Sequence, residues 1–320
     1  MKNYKICVVG AGRWGLNHVK TLDKLDSLGG VIDLNGSTLI KIKKKYPKCL
    51  TFKNLEDSFK NNFDGYIVAT PPKSHFNIAK KIIYNHKPLL VEKPLTLCLK
   101  DAEYLNNISK KNNVNLMVGH LLLFHPAFLK IKQIIDDGKI GKIQYMYSNR
   151  LNLGSFRNDE NVLWSFAPHD ISLFNYFFED IPQSISSHGV DILQESVHDT
   201  SITSFKYKGR KMGHIFVSWL HPFKEHRFVI IGSKGMVHFE DAGISRPLIF
   251  YKKSVNLEGE VPASKSDGSY ILKYSSELPL ESQLKYFIAN LNGKIEIANG
   301  DSAVEVMRIL DLATKSLMRN

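Results

Sequence analysis

Six residues, Gly10-Ala11-Gly12-Arg13-Trp14-Gly15, carry the clearest chemical signal in the chain. They stand between a short apolar run at 5–9 (KICVV) and an amphipathic stretch, the strand-to-helix setting in which G-x-G-x-x-G binds a dinucleotide. The first glycine permits a tight turn, the second lets the backbone approach a pyrophosphate, and the third allows close packing of the helix on the strand. The helix N-terminus then offers unbonded N–H groups and partial positive charge to the anion. About twenty residues on, Asp33 closes the next apolar run, where a carboxylate can accept hydrogen bonds from a ribose and repel a 2′-phosphate. These residues imply NAD rather than its phosphorylated form. The competing reading of Asp33 is as the start of an Asp33-Leu34-Asn35-Gly36 turn, where turn chemistry alone selects the same side chain.

A sheet must hold these groups. The first 120 residues alternate short apolar runs with amphipathic stretches, the βαβα pattern of a parallel sheet with helices on both faces. Strands are expected at 5–9, 30–33, 50–52, 66–69, 89–92 and 116–118, and helices at 14–25, 74–84 and 99–111. Within 74–84, Phe76, Ala79, Ile82 and Ile83 recur at helical spacing. After a further helix at 126–136, longer runs at 140–151, 201–206, 213–220, 227–232 and 248–251 predict neighbouring antiparallel strands. Glycine-bearing connections at 208–210 (KGR) and 233–235 (SKG) suit hairpins. Helices at 280–291 and 303–318 close the chain, and the polar stretch 257–269 reads as a mobile loop. The expected fold is α/β: an N-terminal Rossmann domain over 1–121, then a C-terminal α+β domain over 122–320 built on an open, largely antiparallel sheet.

Composition narrows the alternatives. With 43% hydrophobic and 23% charged residues over 320 positions, collagenous, low-complexity and wholly disordered classes are excluded and a substantial core can be buried. No stretch reaches membrane-spanning length and the start lacks the form of a signal peptide, so a cytoplasmic location is expected. Cys7, Cys49 and Cys98 are odd in number and far apart, which fits neither a disulfide framework nor paired metal ligands. They are expected to be reduced, mostly structural thiols. His221 and His226 lack matched partners, and no metal site is expected. The net charge of +12, from 43 basic and 31 acidic residues, raises the question of an anionic partner. The densest basic run, 41–48 (KIKKKYPK), lacks aromatic interleaving and arginine forks, so a solvated helix face is expected there. Neither a nucleic-acid nor a membrane partner is expected.

Ala69-Thr70-Pro71-Pro72-Lys73-Ser74-His75 and Glu92-Lys93-Pro94 both fall at the carboxyl ends of expected parallel strands, where open α/β sheets bind ligands. Together with the glycine motif they resemble the Gfo/Idh/MocA oxidoreductase family, over essentially the whole chain. The resemblance implies a Rossmann domain followed by a mostly antiparallel substrate domain, assembled as a homodimer or homotetramer. It implies that Thr70, Pro71, Pro72 and His75 line the cofactor with Glu92, and that Lys93 lies beside the nicotinamide and the reacting carbon. A lysine at a strand end can donate to a substrate hydroxyl and stabilise developing alkoxide charge.

In 161–170 (NVLWSFAPHD), His169 takes the histidine position of the family. An imidazole, which ordinarily titrates near neutrality, suits a general base for the hydroxyl proton, although beside Asp170 it could equally stabilise a helix. Four residues earlier, where the family commonly has aspartate, stands Ser165. A hydroxyl cannot ionise, so either Lys93 and His169 suffice or activity is attenuated. Leucines at 121–123, after Gly119 and His120, imply a less polar wall than is usual in the family. The segments 148–154 (SNRLNLG), Arg157 and 161–164 (NVLW) resemble its nucleotide-sugar branch, the UDP-N-acetylglucosamine 3-dehydrogenase-like members. Arg150 and Arg157 offer forks for a diphosphate or carboxylate, with ordinary ion pairing as the alternative. Asn152 and Asn161 can read sugar hydroxyls or an acetamido group, and Trp164 and Ser165 share that substrate segment. The stretch 217–224 (VSWLHPFK) also resembles that branch, with Trp219 expected in the core or at an interface. The implied reaction is NAD-dependent oxidation of a ring hydroxyl, at C3 of a UDP-N-acetylhexosamine, to a ketone. Two alternatives are a dehydrogenase of a free sugar or inositol-like polyol, and a cofactor-binding sensor or partner protein with attenuated chemistry.

Overall fold

The structure, a computed structural model, describes residues 4–154, 156, 160–256 and 261–319. The chain divides into two compact units: Met1–Phe124 with Glu277–Met307, and His125–Ser276 with Arg308–Asn320. Residues 277–307 thus belong with the first unit, whereas the sequence reading places them in the second domain. The signal for this return lies in side chains rather than in any local pattern. Asn106 and Lys110 reach Asp301, and Asn115 donates to the carbonyl of Asn290.

The first unit is built from β1 (Ile6–Val9), α1 (Arg13–Lys24), β2 (Leu28–Ile32), α2 (Gly36–Lys45), β3 (Leu50–Phe52), α3 (Leu55–Ser58), β4 (Gly65–Val68), α4 (His75–Tyr84), β5 (Leu89–Val91), α5 (Leu99–Lys111) and β6 (Leu116–Val118). All neighbouring strands are parallel, in the order β3-β2-β1-β4-β5-β6, so the order reverses between β1 and β4. That reversal opens a crevice at the carboxyl ends of those two strands. In α1 the buried positions Gly15, His18, Val19 and Leu22 recur at helical spacing and face the sheet. Burying Val19 and Leu22 completely stabilises the unit by about 1.5–3 kcal/mol each. The basic run lies on α2 and its end. Asn35 caps this helix by accepting from the Ser37 and Thr38 N–H groups, and Lys43, Lys44 and Lys45 stand in its last turn. Cations there complement the negative end of the helix dipole, and Ile42 alone among them turns inward.

The second unit contains α6 (Pro126–Asp136), β7 (Ile143–Leu151), α7 (Val162–Phe178), β8 (Ser184–Val190), β9 (Thr200–Lys206), β10 (Met212–Ser218), β11 (Glu225–Gly232), β12 (Met236–Glu240), β13 (Leu248–Asn256) and β14 (Ala263–Ile271). After α8 (Pro279–Ala289), which lies in the first unit, the last unit boundary falls inside α9 (Gly300–Leu317). The sheet order is β14-β13-β12-β11-β7-β10-β9-β8. Both predicted hairpins form, β9–β10 around 208–210 and β11–β12 around 233–235. Two expectations need correction. β7 and β10 pair in parallel, because the chain passes through α7 and the β8–β9 pair before β10 returns to β7. The predicted loop over 257–269 contains most of β14, an exposed edge strand paired with β13, while 257–260 lie outside the described residues. Its polar composition reflects an edge with both faces in water, which carries none of the apolar alternation by which strands are read. On the covered face, Phe128 of α6 and Phe174 and Phe177 of α7 pack on Phe228, with Phe239 and Phe205 beside them.

Candidate active site

The glycine turn has the geometry its sequence calls for. Gly10 has φ +91°, and a Cβ there would lie 2.8 Å from the Thr70 methyl group. A Cβ on Gly15 would lie 1.9 Å from the Gly10 carbonyl oxygen, so the third glycine is needed for the helix to close on the strand. Gly12 differs: a Cβ would meet nothing within 4 Å, which leaves its face open for another group to approach. It is also the N-cap of α1, with no side-chain cap, so the first N–H groups of the helix are not capped by a side chain. Asp33, just beyond β2, accepts from the Ala11 N–H at 2.7 Å and the Asn35 N–H at 2.8 Å. Its carboxylate therefore ties the glycine turn to the end of β2.

A cleft of about 700 Å³ lies over this turn, lined among others by Gly10, Gly12, Asp33, Thr70, Pro71 and Ser74. An open glycine face, an uncapped helix N-terminus and an acid at the end of the second strand fit a dinucleotide. Arg13 and Trp14 are exposed on the first turn of α1, and Pro72 begins the short turn Pro72–Ser74 before α4. His75 is placed differently from the expectation that it lines the cofactor. It is 1% exposed and does not line the cleft, with Nδ1 2.9 Å from the Pro94 carbonyl and Nε2 2.8 Å from the Thr70 carbonyl. It bridges the turn after β4 to the turn after β5 that carries Lys93.

Glu92 likewise turns inward. Its side chain is 13% exposed, with Oε1 2.7 Å from Nε2 of the fully buried His18 and Oε2 accepting the Lys93 N–H at 3.3 Å. Burial pushes the Glu92 carboxyl up, but hydrogen bonds from His18, Trp14 and the Lys93 N–H outweigh it and leave it below the usual carboxylate range. A Cβ on Gly119 would lie 2.7 Å from Glu92 Oε2, so this glycine makes room for the carboxylate. Beside it, burial pushes His120 down to about 4, with Glu92 opposing the shift and Lys93 adding to it. Lys93 itself is half-buried and is joined to Pro94 by a cis peptide bond. Sequence reasoning named no role for His18 or His120. The available signal was a histidine within the apolar stripe Gly15, Val19 and Leu22, where a polar ring needs a buried partner. The leucines expected to form a wall are mostly core: Leu122 and Leu123 are buried.

In the second unit, Asn161 caps α7 by accepting the Trp164 N–H at 3.1 Å, and the Trp164 indole donates to the Thr314 hydroxyl at 2.9 Å. Ser165 is buried and His169 half-buried one turn later, immediately after Pro168 inside the helix. The Arg150 fork faces Asp170, with Nε 2.9 Å from Oδ2 and Nη2 3.0 Å from Oδ1. The sequence offered this fork to a diphosphate or to ordinary surface pairing, and the structure shows a buried ion pair. Asn152 is half-buried just after β7, and Arg157 lies outside the described residues. Opposite Arg150 on β11, His226 is pushed down to about 3 by burial and by the charges of Arg150 and Lys224. Trp219 is a core residue, with no exposed surface and its indole on Asp199. All three cysteines are free thiols, and burial pushes Cys49 up to about 11. Among the described residues no group of three His, Cys, Asp or Glu side chains could hold a metal ion, and no helix is long and apolar enough to cross a membrane.

A dinucleotide crevice at a strand-order reversal, followed by a mostly antiparallel sheet domain, defines a Rossmann-type NAD-dependent oxidoreductase. Residues 4–120 match the oxidoreductase family with an NAD-binding Rossmann fold, and residues 128–238 match the GFO/IDH/MocA C-terminal domain. The chain belongs to the Gfo/Idh/MocA family. It is 24% identical to myo-inositol 2-dehydrogenase of Thermotoga maritima, over 73% of this chain and 74% of that one. It is 26% identical to UDP-N-acetylglucosamine 3-dehydrogenase of Acidithiobacillus ferrooxidans, over 52% of this chain and 51% of that one. A solved structure of the latter shares the fold with a TM-score of 0.87 at 18% identity, covering 100% of this chain and 99% of that one. The WlbA dehydrogenase of Bordetella pertussis, solved with NADH and UDP-GlcNAcA, shares it with a TM-score of 0.78 at 18% identity, covering 99% and 97%.

Proposed function

We propose that this enzyme oxidises a ring hydroxyl, at C3 of a UDP-N-acetylhexosamine, to the ketone, in the making of nucleotide sugars for surface polysaccharide. The observation that carries this reading is the 26% identity over 167 residues to a UDP-N-acetylglucosamine 3-dehydrogenase. NAD, when bound, supplies the acceptor for the hydride that leaves the alcohol carbon. His169 takes the hydroxyl proton onto its imidazole, and the Lys93 ammonium donates to the same oxygen as C–O becomes C=O. The alcohol loses two electrons and two protons' worth of hydrogen, one as hydride and one as the proton on His169, and no further reactant is needed. Asn152, the Asn161 amide, Trp164 and Ser165 are assigned to the sugar side and Arg157 to the diphosphate, the Arg150 fork being held by Asp170. The cofactor set is Gly10, Gly12, Arg13, Trp14, Gly15, Asp33, Thr70, Pro71 and Pro72, whereas His75 and Glu92, turned inward, hold the turns after β4 and β5.

The test is production of reduced cofactor by the purified protein with NAD and UDP-N-acetylglucosamine, set against myo-inositol and free sugars. Lys93→Ala and His169→Ala should each lower its rate by about a hundred- to ten-thousandfold while melting remains cooperative. Full turnover by Lys93→Ala would overturn the chemical assignment. A free polyol is the second reading, favoured by two inositol dehydrogenases 24% and 25% identical over 73% of the chain each, and turnover of myo-inositol alone would select it. We also propose a homo-oligomer joined through the uncovered face of the second sheet, where Tyr147, Val229, Ile231, Met236 and Tyr251 line an open cleft of about 380 Å³. Light scattering that returned a monomer at micromolar concentration would refute it.

A further inference from the structure

We infer that Glu92, seated by His18 and Gly119, is a positioning residue that sets the Lys93 ammonium for reaction. The inference rests on the reading of Lys93 as the group that meets the substrate, and it adds a reason why that lysine is held in one place.

The observations converge on one carboxylate. Glu92 directly precedes Lys93 at the end of β5 and accepts its N–H, which anchors the root of the lysine rather than its tip. Its other oxygen is 2.7 Å from a histidine with no exposed surface. Two donors from separate places in the chain, the His18 ring and the Lys93 N–H, thus meet one acid. The backbone of Gly119 lies so close that any side chain there would strike the carboxylate. A largely buried carboxylate held by two donors and by the Gly119 backbone is fixed in place, since each lost bond leaves a shielded polar atom unsatisfied. His18 and Trp14 belong to α1, whose N-terminus faces the dinucleotide cleft. One helix thereby sets both the cofactor turn and the seat of the lysine. The burial of the His18–Glu92 pair is not required for folding chemistry alone, because an apolar pair of similar volume would fill the space without the desolvation cost.

The experiment compares Glu92→Gln, His18→Asn and Gly119→Ala with the parent and with Lys93→Ala. Glu92→Gln keeps the shape but removes the charge. Because a misplacement of about 1 Å can cost about a hundredfold in rate, kcat should fall about ten- to a hundredfold in each variant. The substrate KM, and NAD affinity measured by calorimetry, should stay within about threefold, since the residues act through the lysine and not on the ligands. Glu92→Asp should recover part of the rate. The decisive comparison is the double variant Lys93→Ala with Glu92→Gln, whose residual rate should equal that of Lys93→Ala alone. A purely structural role would instead multiply the two losses and lower NAD affinity with them, and that result would overturn the inference. A readout that needs no substrate is the acetylation rate of Lys93 by trace acetic anhydride, followed by mass spectrometry with exposed Lys100 as internal control. Glu92→Gln, and His18→Asn if the former unfolds, should change the Lys93 rate several-fold and leave Lys100 unchanged. Unchanged Lys93 labelling sinks the positioning role, whereas altered labelling without turnover on any sugar sinks only the substrate assignment.

Discussion

Asp170, with no exposed side-chain surface, accepts both arms of the Arg150 guanidinium at 2.9 and 3.0 Å and the Ser148 hydroxyl at 2.6 Å. The pair joins the centre of α7 to β7, one residue from His169. Breaking a buried pair by removing one partner leaves an uncompensated charge and costs about 3–5 kcal/mol. Arg150→Met should lower unfolding free energy by that amount in a denaturant titration. A loss under about 1 kcal/mol would show that the pair does not hold the helix.

The three motif glycines should separate by substitution. Gly12→Ala places its methyl group in open space, so melting should be unchanged while NAD affinity falls about tenfold or more through lost approach of the backbone. Gly15→Ala drives a carbon to 1.9 Å from the Gly10 carbonyl and should destabilise the fold itself. Calorimetric melting with and without NAD distinguishes the two, and equal binding by Gly12→Ala would remove the glycine turn from the cofactor site.

Asp33 is both a ribose acceptor in the proposed complex and a present tether of the Ala11 N–H. Asp33→Ser should weaken NAD binding and raise affinity for the 2′-phosphorylated cofactor, because the negative charge that repels the phosphate is gone. Side-by-side titration with both cofactors checks this. An unaltered preference would assign Asp33 to the turn alone.

Acid should destabilise the first unit through His120. Its value near 4 in the folded chain lies below the ordinary 6.5, so the unfolded chain binds more protons and stability falls as pH drops. The contribution is complete above about pH 6.5 and is lost as pH falls through about 4. Glu92, also below its ordinary range, adds a loss in the same direction that begins near its unfolded value of about 4.3. His120→Asn should flatten the stability curve between about pH 6.5 and 4 by at most about 3 kcal/mol, measured by denaturant titration at each pH. A slope identical to the parent would show that the ring is not buried as a neutral group.

Much of this molecule was legible in residue order because the relevant physics is local. A glycine turn between strand and helix, helical spacing in α4, and glycine-bearing hairpins need only near neighbours to declare themselves, and α5 begins and ends where a helix is expected at 99–111. The cofactor motif belongs to this class, since its function is a backbone conformation written in three residues.

What tertiary structure decided is how polar groups distant in sequence are paired. Nothing in residue order joins His18 to Glu92 across 74 positions, or directs the Arg150 fork to Asp170 rather than to a ligand. The same holds for His75 bridging two turns, for 277–307 returning to the first unit, and for the parallel pairing of β7 with β10. Periodicity records which face of an element is buried, but hydrogen-bond and charge satisfaction is settled among the groups that folding brings into the same interior. Their partners exist only once the chain has closed on itself.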